Sequence, residues 1–241
     1  VYRAYGRLLG TEPGPPDPTP LDEAAPLRAR PFPYRADPPR AEDDPERWRD
    51  DYDKIPVERV VMSDPALPGT ILRLPAVYGP GDAQHRVGDL LVRMDAGRPA
   101  IVMDVGRAGW RWSRGYVENI ADAIALAATD ERAAGSIYNL GETEALTWAE
   151  WVRAIGDAAD WHGEIVVLPR AELPPELVAT IAVDQPFVAA TDRFRRQLGY
   201  AEQVPRAEGL RRAVAWERAH PRPDAPAPDY SDEDAVLARR G

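Results

Sequence analysis

Residues 70–81 read TILRLPAVYGPG. The run up to Tyr78 is apolar and partly β-branched, and Gly79-Pro80-Gly81 closes it, which predicts a buried strand entering a turn. Downstream, residues 86–96 suit a short helix ended by Gly97, 99–103 (PAIVM) a short strand and 110–117 another. Val117, Ile120, Ala121, Ile124 and Ala128 share one helical face, which predicts a helix over 117–129. Gly135 then leads into SIYNLG, 136–141, a second buried strand. Thr147 and Glu150 have capping-box spacing ahead of an apolar face made by Trp148, Trp151, Val152 and Ile155. EIVVLP, 164–169, reads as a strand, and 191–198 and 207–219 read as two closing helices. Strands alternating with helices in this way make an α/β fold.

Upstream of residue 70 the pattern is less regular. Trp48, Tyr52, Ile55, Val60 and Val61 recur at helical spacing over 46–62, with Pro56 inside the run, so the helix either kinks there or restarts with Pro56 in its first turn. Residues 6–45 are dense in proline, glycine and charge, which excludes helix or sheet; a loop of this length either serves a site or is disordered, and a mobile surface loop is the favoured reading. The opening Val1-Tyr2 reads as the end of a strand, and the chain is expected to be a fragment. After Pro221 the composition turns to proline, alanine and acid, and residues 221–241 are expected to form a flexible tail.

Composition narrows the function classes. The 241 residues carry a net charge of -10, which repels phosphate backbones and argues against a nucleic-acid partner. The chain has no cysteine, which excludes disulfides and thiolate metal sites, and its 3 histidines lie far apart in sequence, so no metal site is expected. No apolar run reaches the ~18 residues a membrane helix needs, and no signal peptide is visible, so a cytoplasmic protein is expected. No strand is followed by a glycine-rich turn into a helix. Gly79-Pro80-Gly81 contains proline and cannot present three successive amides to a pyrophosphate.

Four segments together resemble the extended short-chain dehydrogenase/reductases of the NAD-dependent epimerase/dehydratase family. VYRAYG (1–6) resembles the segment after that family's catalytic serine or threonine, and YDKIPVERVV (52–61) the end of its Tyr-x-x-x-Lys helix. ILRLPAVYGPGD (71–82) resembles its LR-x-x-x-VYGPG strand and turn, and RGYVENIADAIALA (114–127), followed by IYNLG, resembles its RDFVYVEDVARA segment. The resemblance implies an incomplete Rossmann-like parallel sheet, its amino-terminal βαβ units absent, with a small mixed α/β carboxyl-terminal substrate lobe. Residues 1–80 would be the remainder of the Rossmann-like domain and 81–220 mostly the lobe, with 117–129 and 136–141 returning to the sheet. It also implies NAD or NADP as cofactor, a nucleotide sugar or related hydroxylated substrate, transient hydride transfer, and a homodimer through the helix carrying Trp48 and Val61. Because the glycine-rich loop is not in the sequence, residues 1–241 alone are expected to bind NAD weakly.

The same resemblance supplies the candidate site. Lys54 stands four residues before Glu58, as the family lysine stands before its glutamate, and would hold the nicotinamide ribose and favour a tyrosinate. The alternative is a solvated lysine pairing with Glu58 one helical turn away. Counting back four from Lys54 reaches Asp50, a poor base for an alcohol proton. Tyr52 is the nearest tyrosine, but two residues on a helix lie ~200° apart, so it is either a core aromatic or is brought to Lys54 by a non-helical start. Pro75 and Ala76 match the backbone that meets the nicotinamide amide. Ala76 replaces the asparagine of many nucleotide-sugar enzymes. Arg114, with Arg111 and Arg107 nearby, matches an arginine that meets substrate phosphates, a role its planar fork suits, or else belongs to a solvated charged strand. Tyr78 is the last substrate-side candidate, with packing as its alternative. A member that has lost catalysis and acts as a dinucleotide-binding sensor or interaction module is the competing function, and an inactive fragment is a third reading.

Overall fold

The computed structural model describes residues 1–222 and 228–240. Tyr2 does lie extended, bridged antiparallel to Leu27, but the chain then enters a helix, α1 (Arg3–Leu8). No regular helix or strand follows until a 3-10 turn at Arg47–Asp51 and helix α2 (Lys54–Val61). Pro56 is the third residue of α2, within the first turn, where backbone amides have no acceptor inside the helix. The helix therefore restarts rather than kinks.

The rest alternates as expected: β1 (Ile71–Arg73), β2 (Ala76–Tyr78), α3 (Gly88–Asp95), β3 (Ala100–Asp104), α4 (Val105–Gly109), β4 (Arg114–Tyr116), α5 (Val117–Thr129), β5 (Ile137–Asn139), α6 (Trp148–Ala159), β6 (Glu164–Leu168), α7 (Asp192–Leu198) and α8 (Arg206–Ala219). All the named strands pair in parallel: β1 with β5, β2 with β4 and β3 with β6. TILRLPAVY is thus two strands. Pro75 cannot donate to a ladder, and across Leu74-Pro75 the chain changes partner from β5 to β4. Three short parallel pairs make an α/β fold with an incomplete sheet.

The main core lies between α3, α6, α8 and β3, where Leu91, Met103, Trp151, Ile155, Leu210 and Val214 are buried together. The capping box of α6 forms, with the Glu150 amide donating to Thr147 Oγ1 at 3.2 Å and the Thr147 amide donating to Glu150 Oε2 at 2.7 Å. Helix α5 packs on β5 and α7 through Ile120, Ala123 and Ala127, leaving Ile124 exposed, so its inner face is rotated from the expected one. Buried Asn119 accounts for the rotation. It bonds the Val204 carbonyl and the Gln203 and Val204 amides just before α8. Gly115 permits the close approach of α5 to β4: a Cβ there would sit 2.7 Å from Ile120 Cδ1 and 3.0 Å from Pro75 Cγ.

Two segments expected to be loose are held. Within 6–45, Asp17 is buried, takes Arg3 and Arg7 at 2.5 and 2.7 Å, and donates its amide to Gln185 at 2.7 Å. Glu23 accepts the Asn139 amide at 2.9 Å, and Arg28 forms an ion pair with Asp53 at 2.8 Å. These side-chain contacts tie a proline-rich stretch to the rest of the fold without helix or sheet. In the expected tail, 223–227 and 241 lie outside the described residues, but Ser231–Ala238 form helix α9. Its Val236 is buried against Ala100, Val102 and Val166, and Glu233 takes Arg93 at 2.7 Å.

Candidate functional site

A cleft of about 650 Å3 opens between α1, the loop around Arg28–Tyr34, the start of α2, the β1–β2 connection and Phe187–Ala189. Lys54, Tyr52, Pro75 and Ala76 all line it. Asp53 sets the direction of α2: its carboxylate accepts the Ile55 amide as helix cap at 3.0 Å, the Phe32 amide at 2.9 Å and Arg28 at 2.8 Å. Burial alone would raise this carboxyl, but the two amides and the guanidinium hold it below its usual range.

Lys54 is the first residue of α2, and Tyr52 lies outside it in an extended conformation. The helical angle between them therefore does not apply. The Lys54 ammonium stands 4.9 Å from the centre of the Tyr52 ring, a cation–π distance. Glu58 is not the lysine's partner, because Arg73 grips it with two bonds of 3.0 and 2.7 Å. Of the cations lining the cleft, Arg28 is paired with Asp53, Arg73 with Glu58 and Arg86 with Asp82. Among the described residues Lys54 has no carboxylate within ion-pair distance. Asp50, four residues earlier, is buried and accepts the Ala36 and Arg40 amides at 3.0 and 2.7 Å along with the Arg40 guanidinium. It anchors the loop and does not line the cleft.

The wall beside Lys54 is aromatic, made by Tyr52, Tyr34, Tyr5 and Phe187, with Trp48 against Tyr52 outside the lining. Ring centres run Trp48–Tyr52 at 5.5 Å, Tyr52–Tyr34 at 5.8 Å, Tyr34–Tyr5 at 6.4 Å and Tyr5–Phe187 at 5.5 Å. Tyr34 is among the lining residues that sequence reasoning missed. Its signal was an aromatic pair between prolines, PFPYR (31–35), in an otherwise polar loop.

The substrate-side candidates do not line this cleft. Tyr78 is 1% exposed, packed 4.9 Å from the Trp151 ring, with its hydroxyl donating to Glu142 at 2.8 Å. Burial, and then the Glu142 charge, push its ionisation well above the ordinary tyrosine range. Alternation along β2 accounts for this, since Tyr78 faces the core. Arg114 is neither solvated nor open to the cleft: it is 6% exposed, 4.3 Å over the Trp151 ring, and its Nη2 has no partner. Burial lowers its pKa to about 10. Arg107 lies 4.9 Å over Trp148, and burial lowers its pKa too. Arg111 is exposed, donates to the Ala145 carbonyl at 2.7 Å and stands 3.5 Å from Glu150. Arg107 and Arg114 therefore gather around Trp148 and Trp151, and Arg111 stays outside them. Among the described residues no three histidines or carboxylates are grouped to hold a metal ion, and no helix is long and apolar enough to cross a membrane.

This arrangement can be set beside known proteins. An uncharacterized protein, y4nL, of Sinorhizobium fredii is 28% identical over 189 residues, covering 68% of this chain and 52% of that protein. The chain thus spans about half the length of the curated relative it matches. The UDP-glucose 4-epimerase of Thermus thermophilus, solved with NAD, aligns with TM-score 0.54 at 24% identity over 85% of this chain and 60% of its own. DesIV, the dTDP-glucose 4,6-dehydratase of Streptomyces venezuelae solved with NAD and TYD, aligns with TM-score 0.54 at 21% identity over 86% and 57%. At such identities these structures share the fold. The model of the NAD dependent epimerase/dehydratase family matches residues 12–141, more than half the chain and the span that holds Tyr34, Tyr52, Lys54, Pro75 and Ala76. The chain belongs to the NAD dependent epimerase/dehydratase family.

Proposed function

We propose that the cleft receives the nicotinamide end of NAD or NADP beside the hydroxylated ring of a nucleotide sugar or a related substrate, and that the protein is an epimerase/dehydratase-type oxidoreductase or isomerase. The observation that carries this is Lys54. It is the one cleft-lining side-chain cation without a carboxylate partner among the described residues, and its ammonium lies 4.9 Å from the Tyr52 ring. An unpaired ammonium beside flat apolar walls fits a nicotinamide ribose, whose hydroxyls it can bond while Pro75 and Tyr52 contact the ring. Bound nicotinamide would supply reversible hydride acceptance. Tyr52 would take the substrate's hydroxyl proton, and Lys54 would stabilise the charge left on its oxygen. Arg114, whose Nη2 lacks a partner, with Arg111, is assigned to substrate phosphates, which requires Trp148 to move. A homodimer through α2 belongs to the same reading, supported by exposed Trp48, Val57, Val60 and Val61. So does a cytoplasmic location.

A second reading is favoured by one observation. The position four before Lys54 holds Asp50, buried and ion-paired, so a family member without turnover that binds dinucleotide as a sensor also fits. Turnover decides between them. The protein as encoded, with any sequence flanking residues 1–241, is incubated with NAD or NADP and UDP-glucose, UDP-glucuronic acid or dTDP-glucose. Chromatographic conversion of one sugar is expected. Cofactor binding without conversion of any would overturn the enzyme in favour of the sensor.

A further inference from the structure

Tyr5 and Tyr34 come from different parts of the chain, one on α1 and one on the loop expected to be mobile, and both line the cleft. The Tyr34 hydroxyl donates to the Tyr5 oxygen at 3.0 Å. A phenol carries one proton and accepts through its lone pairs, so the Tyr34 proton is engaged and the Tyr5 proton is not. Among the described residues Tyr5 donates to no other group, and the pair is open to solvent. Accepting a bond polarises the Tyr5 O–H and strengthens its donation, by roughly 10–30% in condensed-phase estimates.

The pair is also held in place. Tyr5 meets Phe187 edge-on at 5.5 Å, Tyr34 meets Tyr52 at 5.8 Å, and the Tyr34 carbonyl accepts from Arg40 at 3.0 Å. The Phe32 amide two residues earlier is fixed on Asp53, the cap of the helix that begins with Lys54. Burial, and then the bond to Tyr5, keep Tyr34 from ionising in the ordinary tyrosine range, so Tyr34 keeps its proton in that bond at neutral pH. One ring, that of Tyr52, separates it from the Lys54 ammonium.

We propose that the Tyr5–Tyr34 hydroxyl pair positions the ligand by donating one hydrogen bond, from Tyr5, to a neutral hydroxyl or carbonyl oxygen of the substrate's sugar ring. The aromatic wall it belongs to offers flat faces to the ring's C–H side, and a neutral donor suits a neutral oxygen rather than a phosphate. The inference rests on the reading of the cleft given above and names which oxygen-bearing part of the substrate lies there.

The test uses the protein as encoded, whichever of UDP-glucose, UDP-glucuronic acid and dTDP-glucose it converts, and analogues of that sugar each lacking one hydroxyl. Tyr5→Phe is expected to raise KM about 3–10-fold, the size of one neutral hydrogen bond, with kcat and melting temperature little changed. Tyr34→Phe should raise it less, and the double variant no more than Tyr5→Phe alone, because the two act as one unit. With one of the deoxy analogues, wild type and Tyr5→Phe should become equal. A KM for Tyr5→Phe within twofold of wild type, in a protein that does convert the sugar, would overturn this inference and leave the assignment of Lys54 standing. Failure of the wild type to bind any of the three sugars would overturn both.

Discussion

Lys54→Met lowers turnover of the protein as encoded by about 10²–10⁴-fold, the range for a positioned group that assists proton transfer, while the fold is kept. Methionine matches the length of lysine and is a comparable helix former, so α2 loses little. The contact removed is one cation–π pair 4.9 Å from the Tyr52 ring, and an exposed pair of this kind contributes about 0.5–1 kcal/mol to stability. No carboxylate is left unpaired by the change, because Glu58 is already held by Arg73 at 2.7 Å. A large kinetic loss with an unchanged melting temperature is therefore the expected pairing. Comparison of kcat with thermal unfolding of the same samples checks it, and kcat within threefold of wild type would remove Lys54 from the chemistry.

Arg28→Met has its largest effect on stability. The Arg28 side chain is 3% exposed and that of Asp53 1%, so removing the guanidinium leaves a carboxylate buried without its counter-ion. Breaking a buried pair from one side costs about 3–5 kcal/mol, and for a chain of this length that lowers the melting temperature by roughly 6–20 °C. The effect reaches the site, since Asp53 caps α2 directly before Lys54 and also holds the Phe32 amide of the loop that carries Tyr34. The double variant Arg28→Met/Asp53→Asn should recover part of the loss. A neutral amide oxygen still accepts from Ile55 and no charge is stranded, while the bond from Phe32 to the second carboxylate oxygen is lost, so the recovery is partial. Calorimetric unfolding of the two variants beside wild type measures this, and equal stability of all three would contradict the role given to the pair.

What could be read from the sequence was local. Apolar runs marked the strands, with β1 and β2 read as one, the Thr147–Glu150 spacing marked the start of α6, and the segments around Lys54 and Pro75 supplied four residues that line the cleft. What could not be read depends on partners far along the chain. The loop over 6–45 shows only proline and charge locally, yet its order comes from Asp17 with Gln185 and Glu23 with Asn139. Tyr34 could not be assigned to the site without that order. The inner face of α5 turns on one buried asparagine that serves the segment before α8. Arginine chemistry suggested that Arg114 meets phosphate, but whether a strand residue faces ligand or core depends on which side is covered, and α6 covers this one with Trp148 and Trp151. The acidic segment 231–238 looked like tail because the basic partners of Glu233 and Asp234, Arg93 and Arg98, lie on the far side of the lobe's sequence.

The central claim is that the cleft beside α2 holds the nicotinamide end of the cofactor with Lys54 as its unpaired cation. A crystal structure of the protein as encoded with NAD bound tests it most directly. The nicotinamide ring is predicted to lie against Pro75 and Ala76, with the Lys54 nitrogen about 2.7–3.2 Å from a hydroxyl of the attached ribose. A ring bound elsewhere, with the Lys54 nitrogen in water, would contradict the account.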